Sequence, residues 1–182
     1  MNTVYTFLAD GFEEVEALAV VDCLVRAGLN TKTVSVNGSN TVTGAHNIKV
    51  VADIEFSEGD FSDADVLFFP GGMPGTLNLE KCPTVINAVK YCAENGLLIS
   101  AICAAPSILG HLGLLKGKKA VCFPSFESEL EGYKACDEFV CRDGNIITAK
   151  GMGVSVDFGL EILSYLKGKD VSGKIRGSIQ CR

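Results

Sequence analysis

Leu98-Ile99-Ser100-Ala101-Ile102-Cys103-Ala104-Ala105-Pro106 is the stretch whose reading decides the fold. An apolar run of strand length meets a cysteine, then two small residues, then a proline suited to the first turn of a helix. That order predicts a strand–elbow–helix turn with a thiol at its apex. The following helix would aim its first N–H groups and positive dipole end at the sulfur. Such surroundings favour the thiolate, which is the reactive species. The same residues also fit an inert cysteine packed at a sheet end, because free cysteine is among the most buried residue types. Spacing alone leaves both readings open.

The flanking segments repeat the alternation of strand and helix. Val4 to Ala9 reads as a buried strand closed by Asp10-Gly11, and Glu13 to Arg26 as a helix with an acidic start and Gly28 beyond its end. Thr31 to Val36 is a β-branched strand, and the segments Thr41 to Thr43 and Asn47 to Val51 suit a short hairpin or an edge addition. Val66 to Phe69 is wholly apolar, as buried parallel strands are, and ends in Pro70-Gly71-Gly72. Helices are expected over Pro83 to Asn95, from Pro106 to about Leu112, and over Gly153 to Leu166. Further strands are expected over Ala120 to Phe123, Glu138 to Cys141 and Asn145 to Ala149. The pattern predicts an α/β fold with a mostly parallel central sheet. Ligands of such sheets bind outside the carboxyl ends of the strands. Asp10 to Glu16, Pro70 to Gly75 and Cys103 to Pro106 should therefore converge on one crevice.

The chain has 182 residues, enough for one well-buried domain spanning 1–182, and a formal net charge of −6. No Lys/Arg block stands out, and the densest basic cluster, Lys116, Lys118 and Lys119, suits a solvated turn, so no nucleic-acid partner is expected. No stretch reaches the length that spans a bilayer, and no signal-peptide pattern is visible. A cytoplasmic protein with no membrane association is expected. Eight cysteines are scattered without zinc-ligand spacing, so no metal is expected. Cys136 and Cys141 are the nearest pair in sequence. Apart from Cys103, these thiols read as small apolar residues in or near the core.

Three glutamates, Glu13, Glu14 and Glu16, open the first helix. Helical spacing sets Glu16 beside Phe12, Ala19 and Val20, the most apolar surroundings of the three. Kept protonated there, it could donate a hydrogen bond to a Cys103 thiolate, although dipole preference alone also enriches glutamate at a helix start. The backbone N–H groups of Gly71, Gly72 and Ala104 could hold an anion. No phosphate loop or dinucleotide fingerprint is present, so no nucleotide cofactor is expected. His111, near the end of its helix, reads as a cap for carbonyls, and His46 as a residue reaching the site only from an edge or a second subunit.

Ala9-Asp10-Gly11-Phe12-Glu13-Glu14-Val15-Glu16, Pro70-Gly71-Gly72, Ala101-Ile102-Cys103-Ala104-Ala105-Pro106 and Thr148-Ala149-Lys150-Gly151 occur in order. Together they resemble the ThiJ/PfpI superfamily, in the branch of the parkinsonism-associated protein deglycase and its bacterial relatives. The resemblance runs from Val4 to about Leu166. It implies a flavodoxin-like three-layer α/β sandwich, a homodimer, a redox-sensitive nucleophile at Cys103 and a protonated glutamate partner at Glu16. It further implies a cofactor-free glyoxalase or protein deglycase acting on a small aldehyde or dicarbonyl, or on a protein modified by one. The alternative within the same resemblance is a non-catalytic oxidative-stress sensor or chaperone whose Cys103 is oxidised to the sulfinate. The protease-like branch carries a histidine directly after the cysteine; Ala104 stands here, which argues against a peptidase. The deglycase branch carries a histidine just before the proline matched by Pro124; Phe123 stands here. A family arginine near the dimer-facing edge aligns with His46, an accessory candidate.

Overall fold

A computed structural model describes residues 3–55, 61 and 63–181. The all-apolar run Val66–Phe69 becomes a fully buried strand near the middle of a seven-stranded sheet. In chain order the sheet's strands are β1 (Thr3–Leu8), β2 (Asn30–Ser35), β5 (Ile54–Glu55), β6 (Val66–Phe69), β7 (Leu98–Ile102), β10 (Val140–Asp143) and β11 (Ile146–Ala149). In space they run β10-β11-β7-β6-β1-β2-β5. Every neighbouring pair is parallel except β10–β11.

Because strand side chains alternate between faces, each strand feeds two cores. Tyr5, Phe7, Leu67, Phe69 and Ile99 face one side and pack with Val85, Val89 and Cys92 of α3 (Pro83–Glu94) and Ile108 of α4 (Pro106–His111). Phe7 and Phe69 stack there, with centroids 5.4 Å apart. Val4, Phe68, Leu98 and Ile147 face the other side, against Val20 and Leu24 of α1 (Glu14–Arg26) and Phe158 and Ile162 of α5 (Ser155–Lys167). The result is a mixed α/β fold with helices covering both faces of a mostly parallel sheet, as the alternating pattern predicts.

Several elements lie outside the sequence-based expectation. The strand expected over Ala120 to Phe123 shrinks to β8 (Lys119–Ala120), which pairs with β9 (Lys134–Ala135) in a two-stranded ribbon. A short α2 (Gly75–Glu80) follows the Pro70 loop, and a ten-residue α6 (Lys169–Ser178) follows Gly168. Helix α6 meets the core through only two partly buried apolar residues, Val171 and Ile175; its one buried residue is Ser172, whose hydroxyl donates to the Leu160 carbonyl at 2.7 Å. Hydrophobic periodicity has little to detect in such a helix. The hairpin β3 (Thr41–Thr43) and β4 (Lys49–Val51) forms as expected, but outside the main sheet. It straps the β1–α1 loop: Gly11 N–H donates to Thr43 O at 2.8 Å and Ala45 N–H to Phe12 O at 2.8 Å.

From β1 the chain steps to β2 on one side, whereas from β6 it steps to β7 on the other. Connections therefore diverge between β1 and β6, which opens the crevice where sheets of this type bind ligands. The β1–α1 loop and the Pro70 loop meet there. Glu13 N–H donates to Gly71 O at 2.9 Å, and Gly75 N–H to Gly11 O at 3.2 Å.

Candidate active site

Strand β7 ends at Ile102 and delivers Cys103 with φ +64°, in the left-handed region. A side-chain-bearing residue is uncommon there, and holding one costs about 1–3 kcal/mol. The surroundings hold it. Cys103 N–H donates to Ala149 O at 2.9 Å, and Cys103 O accepts from Phe123 N–H at 2.8 Å. Ala105 N–H folds back to Ile102 O at 3.0 Å, which leads the chain into Pro106 and α4. The elbow expected from the sequence is present, with a half-buried thiol at its apex.

Glu16 arrives from the first turn of α1. Glu13 caps that helix by accepting from Glu16 N–H at 2.6 Å, which leaves Glu16 free to turn inward. Its carboxyl is 1% exposed, hydrogen-bonds the Cys103 thiol and accepts from Gly71 N–H at 2.9 Å. Gly71 makes this approach feasible. A Cβ there would lie 2.6 Å from Cys103 Cβ and 2.8 Å from Glu16 Oε2. The N–H groups of Ala104 and Gly72 point at the sulfur. Of the three expected anion-holding amides, two face Cys103, while that of Gly71 is committed to Glu16.

Burial pushes the Glu16 carboxyl up to about 7; its bonds with Cys103 and Gly71 oppose that rise, and the charge of Glu13 adds to it. Burial also pushes Cys103 up to about 12, reinforced by the charge and hydrogen bond of Glu16 and opposed by the amides of Ala104 and Gly72. This differs from the thiolate expected at a helix start. Helix α4 has only six residues, and desolvation of the sulfur outweighs what two amides return. Two neighbouring buried groups cannot both carry a negative charge, so the pair rests with a protonated thiol beside a carboxyl that titrates near neutrality.

His46 is bonded to Glu14 rather than to Cys103. Its ring Nδ1 and backbone N–H both engage the Glu14 carboxylate, each at 2.7 Å. Glu14 is itself buried, a feature its sequence position did not reveal. The signal was Gly44, whose absent Cβ would overlap the Glu14 carboxyl at 2.3 Å. Glu13, Glu14 and His46 place one ligand atom each within 4.8 Å of one another, and the His46–Glu14 pairing accounts for that grouping. His111 does not cap carbonyls. It bridges Glu80 at 2.5 Å and Glu129 at 2.9 Å, because α4 ends facing both carboxylates.

The loop after β11 also reaches the site. A Cβ on Gly151 would lie 3.3 Å from the Phe123 ring and 3.9 Å from Glu16 Oε1. Beside it lies an open groove of about 450 Å³, lined by Phe123, Phe139, Lys150, Gly151 and Met152 among others. Phe139 and Met152 carried no motif that could have flagged them. Gly151 did, as the last residue of Thr148-Ala149-Lys150-Gly151.

These geometric features have counterparts in known proteins. Residues 2–165 match the model of the DJ-1/PfpI family. The chain belongs to the DJ-1/PfpI family. Protein DJ-1 homolog B of Arabidopsis thaliana is 36% identical over 90% of the chain, and a Caenorhabditis elegans protein named glutathione-independent glyoxalase is 32% identical over 90% of the chain and 87% of its own length. The chain spans only 37% and 47% of the lengths of Arabidopsis homologs B and A. Among solved structures, oxidised Toxoplasma gondii DJ-1 superposes with a TM-score of 0.96 at 30% identity, covering 100% of this chain and 99% of that one. The sheet order and flanking helices of this DJ-1/PfpI chain thus match those of a solved DJ-1. No helix among its described residues is long and apolar enough to cross a membrane.

Proposed function

We propose that this DJ-1/PfpI protein is a cofactor-free, cysteine-dependent enzyme acting on small reactive dicarbonyls or on the protein adducts they form. The observation that carries the reading is the buried Glu16 carboxyl bonded to a thiol held at a strained elbow. The relative named a glyoxalase supports the substrate class. In the first step the ionised Glu16 carboxylate takes the thiol proton as sulfur attacks the aldehyde carbon. A C–S bond forms, the carbonyl π pair moves to oxygen, and the amides of Ala104 and Gly72 meet the developing oxyanion. Glu16 then returns the proton to that oxygen, leaving a hemithioacetal. A carboxyl that titrates at about 7 exchanges that proton in both directions at neutral pH.

Cys103→Ser is expected to abolish methylglyoxal conversion, followed by loss of the dicarbonyl or by appearance of the hydroxy acid. Equal, negligible rates in the wild type and the variant would overturn the enzymatic reading. A specific feature favours the second reading, a peroxide sensor oxidised at Cys103. Phe123 fills the position where the resemblance implies a histidine, and Glu16 is the one carboxyl bonded to the sulfur among the described residues. Peroxide titration with intact-mass analysis separates the two. A sensor oxidises Cys103 ahead of the other seven thiols without turning over methylglyoxal.

The partner we infer is a second copy of the chain. Helix α1 exposes Val15 (47%), Leu18 (39%) and Val25 (53%) at spacings of three and seven residues, an apolar stripe turned away from its own core. Leu18→Asp is expected to convert a dimer to a monomer in sedimentation equilibrium. A monomeric wild type would remove the proposal. The scatter of the eight cysteines, without paired spacing in the sequence, supports a cytoplasmic location.

A further inference from the structure

Cys136 and Cys141 lie outside the Cys103 site and are used by nothing proposed above. Cys136 directly follows β9 and is half-buried; Cys141 is the second residue of β10 and 3% exposed. In a continuous strand, residues five positions apart would stand about 17 Å from one another. Here the chain turns between the two strands. Cys136 follows Ala135, which pairs with Ala120. The residue after Ala120, Val121, bonds Thr148, the register partner of Cys141, so the two thiols are neighbours that each influence the other. The ribbon that carries Cys136 is anchored to the sheet edge. Lys119 N–H donates to Asp143 Oδ2 at 2.8 Å, and Val121 N–H to Thr148 Oγ1 at 2.9 Å. The juxtaposition is therefore built from both sides rather than left to a loose loop.

We propose that Cys136 and Cys141 are an oxidisable dithiol that a hydroperoxide closes to an intramolecular disulfide. Cys136, the more accessible thiol, reacts first. Its sulfur takes the terminal oxygen of ROOH, the O–O bond breaks, and ROH leaves with Cys136 as the sulfenic acid. The Cys141 sulfur then attacks the Cys136 sulfur. The S–S bond forms, the S–OH bond breaks, and hydroxide leaves as water with the Cys141 proton. Two thiols lose two electrons and two hydrogens, and the peroxide is reduced to alcohol and water.

The bridge would close a ring around Asp137, Glu138, Phe139 and Val140. Phe139 O accepts from Lys150 N–H at 3.0 Å, and the Phe139 ring lies 4.7 Å from the Lys150 ammonium. Lys150 leads into Gly151 beside Glu16. Oxidation therefore fixes one wall of the groove next to the Cys103 site without touching the sulfur of that site.

Trypsin leaves both cysteines in the single peptide Ala135–Arg142, which has no internal Lys or Arg. The full-length Cys103→Ser protein, which removes oxidation at the elbow, is treated with hydrogen peroxide, alkylated with iodoacetamide and digested. The expected result is loss of both alkyl groups and of two hydrogen masses from that peptide, reversed by dithiothreitol. Amide exchange at Lys150 should slow in the oxidised protein. In Cys136→Ser, Cys141 should stay alkylatable after the same dose. A peptide that still takes two alkyl groups, that carries oxygens without losing hydrogens, or that links to another cysteine overturns the proposal.

Discussion

Gly71→Ala is expected to cost about 3 kcal/mol of stability or more, since its methyl group overpacks a rigid site. The new carbon would meet Cys103 Cβ at 2.6 Å, Glu16 Oε2 at 2.8 Å and Ile102 O at 2.9 Å. One of these is backbone and another belongs to a strained residue, so neither side can retreat cheaply. The carboxyl and the thiol must separate, and a displacement of about 1 Å at reacting groups lowers rates by about 10²-fold. The paired measurements are the urea midpoint and the rate of methylglyoxal or peroxide reaction at Cys103. An alanine variant with wild-type values in both would show that the two side chains do not depend on this close approach.

The second large effect belongs to Glu16 and depends on pH. Its folded-state value of about 7 lies above the ordinary 4.5, so the folded protein binds the proton more tightly than the unfolded chain. Its contribution is therefore fully present below pH 4.5 and is lost as pH rises through about 7. The difference between the two values amounts to about 3 kcal/mol. Glutamine keeps an oxygen for the Gly71 amide but has no proton to lose. Glu16→Gln is accordingly expected to be the more stable protein at pH 8.5 by about 3 kcal/mol, with the two converging near pH 5. Denaturant titrations at both pH values test this. A stability difference that does not change with pH would mean the buried carboxyl is not neutralised. The same substitution should remove the rise in activity through neutral pH, because the base that accepts the Cys103 proton is gone.

The strands and the convergence of three loops were readable because buried parallel strands announce themselves as short apolar runs. Val66–Phe69 was legible to the residue. Glu16 was separable from Glu13 and Glu14 by helical spacing, although Glu14 proved buried as well. Its burial depends on a hairpin residue, Gly44, thirty positions away, and no local pattern encodes such a pairing. The ionisation of Cys103 departs from the expectation for a helix start for a similar reason. A helix start is visible in a sequence, but the desolvation of one sulfur is set by everything packed around it. Helix α6 stayed hidden because only Val171 and Ile175 give it apolar core contacts, amid glycine, serine and charged residues that carry no clear stripe.

The divergence of connections between β1 and β6 also governs when the chemistry can exist. Glu16 lies on one side of that divide, and Cys103 on the other, eighty-seven residues later. Neither half of the chain owns a site. A nascent or partly unfolded chain that has formed only β6 and β7 carries a cysteine without its carboxyl and with no strained elbow pinned by Ala149 and Phe123. Glu16-assisted turnover at Cys103 thus reports long-range closure of the sheet, and its loss during unfolding should coincide with the global transition rather than precede it.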